Sequence, residues 1–364
     1  RSMPTDCPQR DERQGWLGDR SEECRGESYI FDIAGLYSKW VGDMEDAQLE
    51  SGSVSDVCPA YWPIYGDDVT WPSTFIIAPG MLYEQYGDVR VIERHYDGMK
   101  KWINHMNTYV KDGIIAKDSY GDWCVPPEEQ HLIHSKDPAR KTAGDFLATA
   151  YLAHDYYLMA KYAGLLGKQQ DAAEFQAAGD AMKAAFNAKF WDAKENKYSN
   201  GTETSCVLPL AFGLAPEDAR AGLFARLVDH ITVAGQGHLA TGLIGGQWLM
   251  RVLSDNGRPD VAETMTLQTS YPSWGYMIDK NATTIWELWN GDTADPGMNS
   301  HNHVMLVGDL NVWLYEYLGG IKPASPGFKE LSLHPYIAKE LSFVTVSHKT
   351  PYGSVFSAWH KQDG

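Results

Sequence analysis

Acidic side chains crowd the segment from Asp6 to Asp19, which reads DCPQRDERQGWLGD and holds four acids, two arginines and one tryptophan. A carboxyl group that donates a proton needs a pKa raised by burial or by neighbouring anions, and the crowding supplies such neighbours. The arginines can keep other acids of the cluster ionised as acceptors for hydroxyl groups. Pro8, Gly15 and Trp16 restrict the backbone, which is untypical of a solvated charged loop. The segment therefore predicts a site of acid–base chemistry.

A second acidic motif lies far along the chain, where residues 283–292 read TTIWELWNGD. On an extended backbone, Glu287 shares a face with Ile285 and Trp289, and a carboxylate beside such bulk is expected in a pocket. Two carboxylates from distant segments, one to protonate a leaving oxygen and one to activate water, are the minimum equipment of an inverting glycosidase. Buried ion pairs produce the same pattern, so the residues alone leave a structural role open.

The overall composition indicates which kinds of partner the protein binds. The 364 residues carry a formal net charge of −17 without any Lys/Arg-rich run, so we expect neither a nucleic-acid nor a membrane partner. Aromatic residues make up 12% of the chain, and many of them lie beside glycine, aspartate or proline. Aromatic faces combined with carboxylates and amides are what a sugar site needs, although core packing accounts for other aromatics.

The cysteines and histidines do not form a metal pattern. Five cysteines are widely spaced, with no C-x-x-C motif, so we predict no structural metal. The sequence leaves open whether the cysteines form a Cys7–Cys24 or a Cys24–Cys58 disulfide or stay as buried thiols. His301 and His303 would diverge on a helix, which favours sugar contact or helix capping over metal binding. The chain also lacks a glycine-rich phosphate loop and a G-x-S-x-G turn, so we predict no cofactor and no serine-hydrolase chemistry.

Helical periodicity dominates from about residue 29 to residue 319 and predicts about ten helices. The segments with this pattern are 29–50, 72–87, 90–112, 143–167, 168–192, 217–234, 240–256, 259–268 and 301–318. Short turns alternating with long, aromatic-rich loops are typical of a toroid of helical hairpins, with its long loops at one mouth. After a Pro/Gly linker at 321–327, residues 341–348 and 354–359 predict two β-strands around a turn.

Residues 4–19, PTDCPQRDERQGWLGD, closely resemble the signature of the inverting bacterial and fungal α-L-rhamnosidases. Later blocks resemble the same family in the expected order: YGDW at 120–123, TGLIG at 241–245, YPSWG at 271–275 and TTIWE at 283–287. The resemblance implies a mainly α fold, with an (α/α)6 barrel over residues 1–321 that lacks its first helix. It also implies the start of a C-terminal β-domain over 322–364 and upstream β-domains in a longer chain.

The resemblance further implies removal of terminal α-L-rhamnose from glycosides or polysaccharides, with Glu12 as general acid and Glu287 as the base that activates water. Other residues are implied to bind the rhamnosyl group: Asp6, Arg10, Trp16, Asp19, Trp71, Trp123, Trp274 and His303. Tryptophans suit a 6-deoxy sugar, because its methyl group gains by burial where a hydroxyl group would lack a partner. A secreted or periplasmic location is favoured over a cytoplasmic one.

One departure from the family concerns residues 286–290, which read WELWN where the family often has Trp-Glu-Arg-Trp-Asp. The exchange removes one cation and one anion together, leaves the base in place, and affects the side of the site that takes the leaving group.

Two alternative functions stay open. An α/α-barrel enzyme for uronates would need uncommitted Arg or Lys, which the acids around Glu12 disfavour, and a non-catalytic glycan-binding module would not need both Glu12 and Glu287.

Overall fold

The structure is a computed structural model, and it describes residues 5, 7, 12–21, 24–298 and 300–362. Its α-helices are α1 (Leu17–Ser21), α2 (Cys24–Ile30), α3 (Ala34–Asp46), α4 (Thr74–Tyr86), α5 (Arg90–Asn107), α6 (Gly144–Leu165), α7 (Gln169–Phe190), α8 (Glu203–Ala211), α9 (Glu217–Asp229), α10 (Leu243–Asp255), α11 (Pro259–Thr266), α12 (Trp274–Asp279) and α13 (Leu310–Trp313). Its strands are β1 (Trp191–Asp192), β2 (Lys197–Tyr198), β3 (Ile321–Pro323), β4 (Leu331–Leu333), β5 (Phe343–Thr350) and β6 (Gly353–His360).

Alternate helices form a closed ring. Helix α2 packs against α4, α4 against α6, α6 against α8, α8 against α10, α10 against α13, and α13 against α2. Helices α3, α5, α7, α9 and α11 lie outside this ring, each against the inner helix that precedes or follows it. A circuit of inner helices with outer companions is the predicted toroid of helical hairpins, in the (α/α)6 form that the family resemblance implied.

The amphipathicity of the helices explains which ones face inward. Residues 71–82, which include most of α4, are all buried, and so are residues 146–153 of α6. A helix that is apolar on all sides is stable only inside a core. Helix α5 instead buries one stripe, which includes Ile92, Tyr96, Met99 and Ile103, so it lies on the surface of the ring with its polar face outward.

Most of the predicted helices are confirmed, but the predicted helix at 301–318 is wrong in its first part. The structure has a short turn at Met305–Val307, the single α turn of α13, and a π-helical turn at Leu314–Leu318. Residues 300–303 are not helical because their backbone groups pair with the segment around Glu287 instead. Helices α1, α2, α8 and α12 were not predicted. Helix α8 is short, buried on all sides and interrupted by Pro209, so it has no periodic stripe.

Loop length alternates around the ring, as the sequence indicated. Connections from an inner helix to the following outer helix are short, as at 31–33, 87–89 and 256–258. Connections from an outer helix to the next inner helix include the long segments 47–73 and 108–143. These segments, together with 267–309, all lead into the N-terminal ends of inner helices, so they gather at one mouth of the ring.

The strands near the C-terminus lie against the helical ring. Strands β5 and β6 pair antiparallel, from Phe343 opposite His360 to Thr350 opposite Gly353, which confirms the predicted strand pair. The indole of Trp359 donates a hydrogen bond of 3.2 Å to the carbonyl of Leu318. Strand β5 also contacts α2. The predicted strands therefore have a packing surface on the barrel, which two strands alone would lack.

All five cysteines fall within the described residues; each is buried and none of them forms a disulfide. The buried-thiol alternative therefore holds, and neither of the two disulfides considered from the sequence is present. Over the part of the chain that the structure describes, no helix combines the length and the apolar character needed to cross a membrane.

Candidate active site

The first acidic segment is fixed at the mouth by pairing with the α3–α4 loop. The backbone N–H of Leu17 donates a 2.9 Å hydrogen bond to the carbonyl of Asp56. Trp16, next to this contact, donates its indole N–H to Oε1 of Glu12. Both Glu12 and Trp16 are half-buried. The carboxyl group of Glu12 is therefore oriented by a side chain four residues away and stays within reach of a ligand.

The other sugar-binding residues predicted in this segment have different outcomes. Asp6 and Arg10 lie outside the described residues. Asp19 lies in α1 and is 6% exposed. Its Oδ1 atom is 3.6 Å from Nε2 of His303. Two predicted sugar-binding residues, from segments far apart in the chain, are thus brought together.

Glu287 lies in an extended segment that pairs with residues 300–303. It is 6% exposed, so its carboxylate is buried among the bulky side chains beside it in the sequence. The backbone N–H of Ser300 donates a 2.8 Å hydrogen bond to Oε2 of Glu287, and the Sγ atom of Cys7 lies 4.0 Å from the same oxygen. Two donors from different segments thus hold one carboxylate oxygen, a contact that no single motif reveals.

His303 is oriented by its own neighbours. Its Nδ1 atom accepts a 3.1 Å hydrogen bond from the backbone N–H of Met305, so the neutral ring carries its proton on Nε2, the nitrogen that faces Asp19. Ligand atoms of Cys7, Glu287 and His303 lie within 4.8 Å of one another. Because Nδ1 of His303 accepts the hydrogen bond from Met305 and Nε2 carries the proton, this tautomer offers no unused ring-nitrogen lone pair to a metal ion.

Tyr120 connects three of the predicted pocket tryptophans. Its ring centroid lies 5.6 Å from that of Trp16, 4.4 Å from that of Trp71 and 6.4 Å from that of Trp123. Its phenol donates a 2.7 Å hydrogen bond to Oδ2 of Asp56. The sequence placed Tyr120 at the start of a family block but gave it no role. Its contacts make it the centre of an aromatic wall built from three loops.

Trp71 forms the deepest part of this wall. A Cβ atom at Gly18 would lie 2.3 Å from the Trp71 ring, so only glycine lets α1 approach this closely. The backbone N–H of Trp71 donates a 2.9 Å hydrogen bond to Asp68. The indole N–H of Trp71 is buried and has no acceptor among the described residues. A bound hydroxyl group would satisfy this donor.

The blocks at 120–123 and 241–245 contact each other through Asp122. Its carboxylate accepts hydrogen bonds from the backbone N–H groups of Gly242 (2.9 Å), Ile244 (2.8 Å) and Gly245 (3.2 Å) at the start of α10. Asp122 is thus a structural acceptor at a helix N-terminus. The contact fixes the adjacent Trp123, which faces the mouth.

Trp274, the first residue of α12, is held beside the second acidic motif. Its indole donates a 2.7 Å hydrogen bond to the carbonyl of Leu306. Its ring packs edge-on against Trp289, with centroids 5.7 Å apart. Trp274 is 8% exposed. Since Trp289 is two residues from Glu287, this tryptophan pair packs beside the Glu287 segment.

Residues 1–318 match the family model of the bacterial α-L-rhamnosidase six-hairpin glycosidase domain. The chain belongs to this family. Residues 320–364 match the model of the bacterial α-L-rhamnosidase C-terminal domain. The two matches agree with the helical ring and the strands that follow it.

Individual relatives of this rhamnosidase family are similar over the whole chain. An α-L-rhamnosidase of Formosa agariphila is 34% identical over 98% of this chain and 38% of its own length. The structure of an α-L-rhamnosidase from Dictyoglumus thermophilum superposes with a TM-score of 0.93 at 37% identity, covering 100% of this chain and 40% of that one. The Streptomyces avermitilis α-L-rhamnosidase complexed with L-rhamnose gives 0.92 at 32% identity, covering 100% and 34%. The chain thus spans well under half of these relatives.

The departure from the rhamnosidase family at 286–290 has a structural reason. Asn290 is fully buried, and its Nδ2 group donates to the carbonyls of Gln130 (2.6 Å) and Leu132 (2.8 Å). An aspartate could not donate these bonds. Leu288 is 2% exposed and lies in the core. Asn290 therefore fixes the Glu287 segment to the loop at 130–132, and Leu288 packs the same segment into the core.

Two buried acids with raised pKa values, Asp56 and Glu203, lie near the N-terminal ends of the inner helices. Burial, together with the charges of Asp68 and Asp67, raises the pKa of Asp56 to about 7, although the Tyr120 phenol lowers it. Burial raises the pKa of Glu203 to about 8, and its Oε2 atom accepts a 2.7 Å hydrogen bond from the backbone N–H of Ala240. These acids support the loops and are more protonated at neutral pH than ordinary carboxyl groups.

Proposed function

We propose that this chain hydrolyses terminal α-L-rhamnosides with inversion of the anomeric carbon. The observation that supports the proposal most directly is that two carboxylates from distant parts of the chain, Glu12 and Glu287, both lie in loops on the side of the ring where the long loops gather. Each has a fixed donor, Trp16 for Glu12 and the Ser300 backbone for Glu287. Membership of the rhamnosidase family supports the substrate class.

The proposed reaction assigns one proton transfer to each carboxyl group. Glu12, as general acid, gives its proton to the glycosidic oxygen while the bond from C1 to that oxygen breaks. Glu287, as general base, takes a proton from a water molecule whose oxygen bonds to C1 from the opposite face. The products are inverted rhamnose and the alcohol of the leaving group. This mechanism requires a carboxyl separation of roughly 6.5–9.5 Å.

We assign binding of the rhamnosyl group to the side chains that surround these carboxylates. Asp19 is an acceptor for hydroxyl groups, and His303 offers the N–H on Nε2. Trp71 adds a buried N–H donor at the base of the aromatic wall. The remaining residues of the proposed set are Trp16, Trp123 and Trp274, with Asp6 and Arg10 kept from the family resemblance. Their aromatic faces favour the apolar side of a 6-deoxy sugar.

The proposal extends to the rest of the protein. We assign residues 1–321 to the catalytic domain and 322–364 to the start of a C-terminal β-domain, and we expect upstream β-domains in a longer chain. The substrate is a rhamnosylated glycoside or polysaccharide. A secreted or periplasmic location fits a polymeric substrate, which does not enter the cytoplasm intact.

The experiment compares Glu12→Gln and Glu287→Gln with the native chain on an aryl α-L-rhamnoside. We expect each variant to lose about 10²-fold or more in kcat, since each removes one positioned proton-transfer group. Glu217→Gln, an exposed acid in α9, is the matched control and keeps native activity. Circular dichroism and Tm establish that all three variants fold. Native-like turnover by either active-site variant contradicts the assignment.

A further inference from the structure

The thiol of Cys7 connects the first acidic segment to the proposed base. Cys7 is 1% exposed, and its Sγ atom donates a hydrogen bond of 4.0 Å to Oε2 of Glu287. Ligand atoms of Cys7, Glu287 and His303 lie within 4.8 Å of one another. Cys7 belongs to the same segment as the proposed acid, Glu12. One segment of the chain thus supplies the acid and also contacts the base.

The thiol shares its acceptor with a backbone donor. The N–H of Ser300 donates its 2.8 Å hydrogen bond to Oε2 of Glu287, and the thiol of Cys7 donates to the same oxygen. The last torsion of a glutamate side chain has a broad energy minimum, so a carboxylate with a single donor can still rotate about it. A second donor, from a different segment of the chain, restricts that rotation. The thiol therefore helps to orient the carboxylate that would take a proton from water.

Burial gives this contact more weight than a thiol contact has in water. An S–H group is a weak donor, but hydrogen bonds are stronger in the low dielectric of a protein interior, and both Cys7 and Glu287 are buried. Hydrogen bonds of catalytic groups are often long in a free enzyme and shorten in its complex with substrate. We therefore expect the loss of the thiol to loosen the carboxylate, while the backbone of Ser300 keeps part of the hold.

The proposed acid is held by other contacts. Trp16 donates its indole N–H to Oε1 of Glu12, and the backbone of Leu17 is fixed by the carbonyl of Asp56. Glu12 follows Cys7 by five residues, which span up to roughly 17 Å in an extended chain. A change at Cys7 should therefore disturb the base and leave the acid in place, so kinetics can separate the two effects.

We propose that Cys7 is a positioning residue for the water-activating step, and that its thiol holds Oε2 of Glu287 so that the carboxylate faces the attacking water. The inference rests on the proposed function and adds to it a residue that acts through the base and not on the substrate. The alternative is a thiol that only packs in the core, like the buried Cys206 within α8. The two roles predict different kinetics.

The test compares Cys7→Ala, which removes the donor, with Cys7→Ser, which keeps one, on a nitrophenyl and a methyl α-L-rhamnoside. We expect Cys7→Ala to lower kcat about tenfold with KM unchanged, and Cys7→Ser to stay within about twofold of the native protein. The loss should be equal for both substrates, because both need an activated water. A displaced acid would instead affect mainly the methyl rhamnoside, whose poorer leaving group needs the proton. Circular dichroism establishes folding, and Cys7→Val, which fills the space without a donor, replaces Cys7→Ala if that variant unfolds.

A double-mutant cycle separates positioning from packing. Added to Glu287→Gln, Cys7→Ala should cause no further loss of kcat, because the carboxylate that the thiol orients is gone, whereas a packing defect would add its own loss. Cys206→Ala is the control for the same change at another buried thiol and keeps native kcat. Native kcat in Cys7→Ala, additive losses in the cycle, equal losses in Cys7→Ala and Cys7→Ser, or a loss confined to the methyl rhamnoside overturns the inference and leaves the proposed function standing. Native turnover by Glu287→Gln overturns the proposed function, and this inference with it.

Discussion

The backbone N–H of Ser300 donates a 2.8 Å hydrogen bond to Oε2 of Glu287, and the backbone N–H of Glu287 donates one of 2.8 Å to the carbonyl of Ser300. These two hydrogen bonds fix both the main chain and the carboxylate of Glu287, the proposed base. Because the donor to the carboxylate is a backbone group, its position depends on the loop and not on the side chain at residue 300. Whether the carboxylate reaches the Ser300 N–H therefore depends on the length of the Glu287 side chain.

Glu287→Asp should therefore lower kcat on an aryl rhamnoside by about 10²-fold, the cost of roughly 1 Å of misplacement at a reacting group. The shorter side chain keeps its charge but retracts the carboxylate from Ser300. Steady-state kinetics measure the loss, and Glu217→Asp in α9 is the control for the same change at an exposed site. Native kcat in Glu287→Asp would show that this contact does not position the base.

Tyr120→Phe should destabilise the fold by about 1–3 kcal/mol, because it leaves the buried Asp56 without its phenol donor. The same change raises the pKa of Asp56 further, since the phenol hydrogen bond lowers it in the native protein. Denaturant unfolding measures the loss. Tyr61→Phe is the control, because Tyr61 is 82% exposed, and it should leave stability unchanged. Equal stability of the two variants would contradict a structural role for the Tyr120–Asp56 bond.

Asn290→Asp should also destabilise the protein, by about 2–3 kcal/mol at pH 8, because a buried carboxylate would face two carbonyl oxygens. The loss should shrink at low pH, where a protonated aspartate can donate to one of them. Thermal unfolding across pH measures this trend. Thr293→Ser, an exposed change on the same loop, should have little effect. A native Tm for Asn290→Asp at pH 8 would mean that the loop at 130–132 is held in another way.

Glu203 makes stability depend on pH. Burial raises its pKa from the ordinary 4.5 to about 8, so between these values the folded protein holds a proton that the unfolded chain has released. The contribution of Glu203 to the free energy of unfolding is complete below about pH 4.5 and is lost as the pH rises to about 8. Glu203→Gln keeps an acceptor for the Ala240 N–H and does not titrate.

The Tm of Glu203→Gln minus that of the native protein should therefore increase between pH 5 and pH 8.5, by at least about 2 °C. Differential scanning calorimetry at both pH values measures it. Glu217→Gln, which changes an exposed acid in α9, should show a constant difference. A constant difference for Glu203→Gln as well would show that Glu203 ionises normally in the folded protein.

The sequence predicted those parts of the fold that have a local pattern. Surface helices such as α5 show a periodic apolar stripe, and long family blocks point to Glu12 and Glu287. Inner helix α8 lacks a stripe because it is buried on all sides, so it was missed. The segment 301–304 was predicted as helix because its pairing with residues 285–287, distant in sequence, is invisible to local periodicity.

Within the site, the sequence could not predict the contacts between loops. The acid Asp56 has no motif of its own, and only the fold places it under Tyr120. Likewise, Asp122 lies in the family block at 120–123, and its three backbone donors at the start of α10 give it a structural role. Residue types predicted the chemistry, whereas the pairing of loops shows which acids have structural partners.

The most direct test of the central claim is the anomer that the chain first releases. Proton NMR during hydrolysis of an aryl α-L-rhamnoside separates the two anomers of rhamnose before they equilibrate. The assignment of Glu12 as acid and Glu287 as base predicts that β-L-rhamnose appears first and the α-anomer later, by mutarotation. Initial release of α-L-rhamnose, or no hydrolysis by the folded protein, would contradict it.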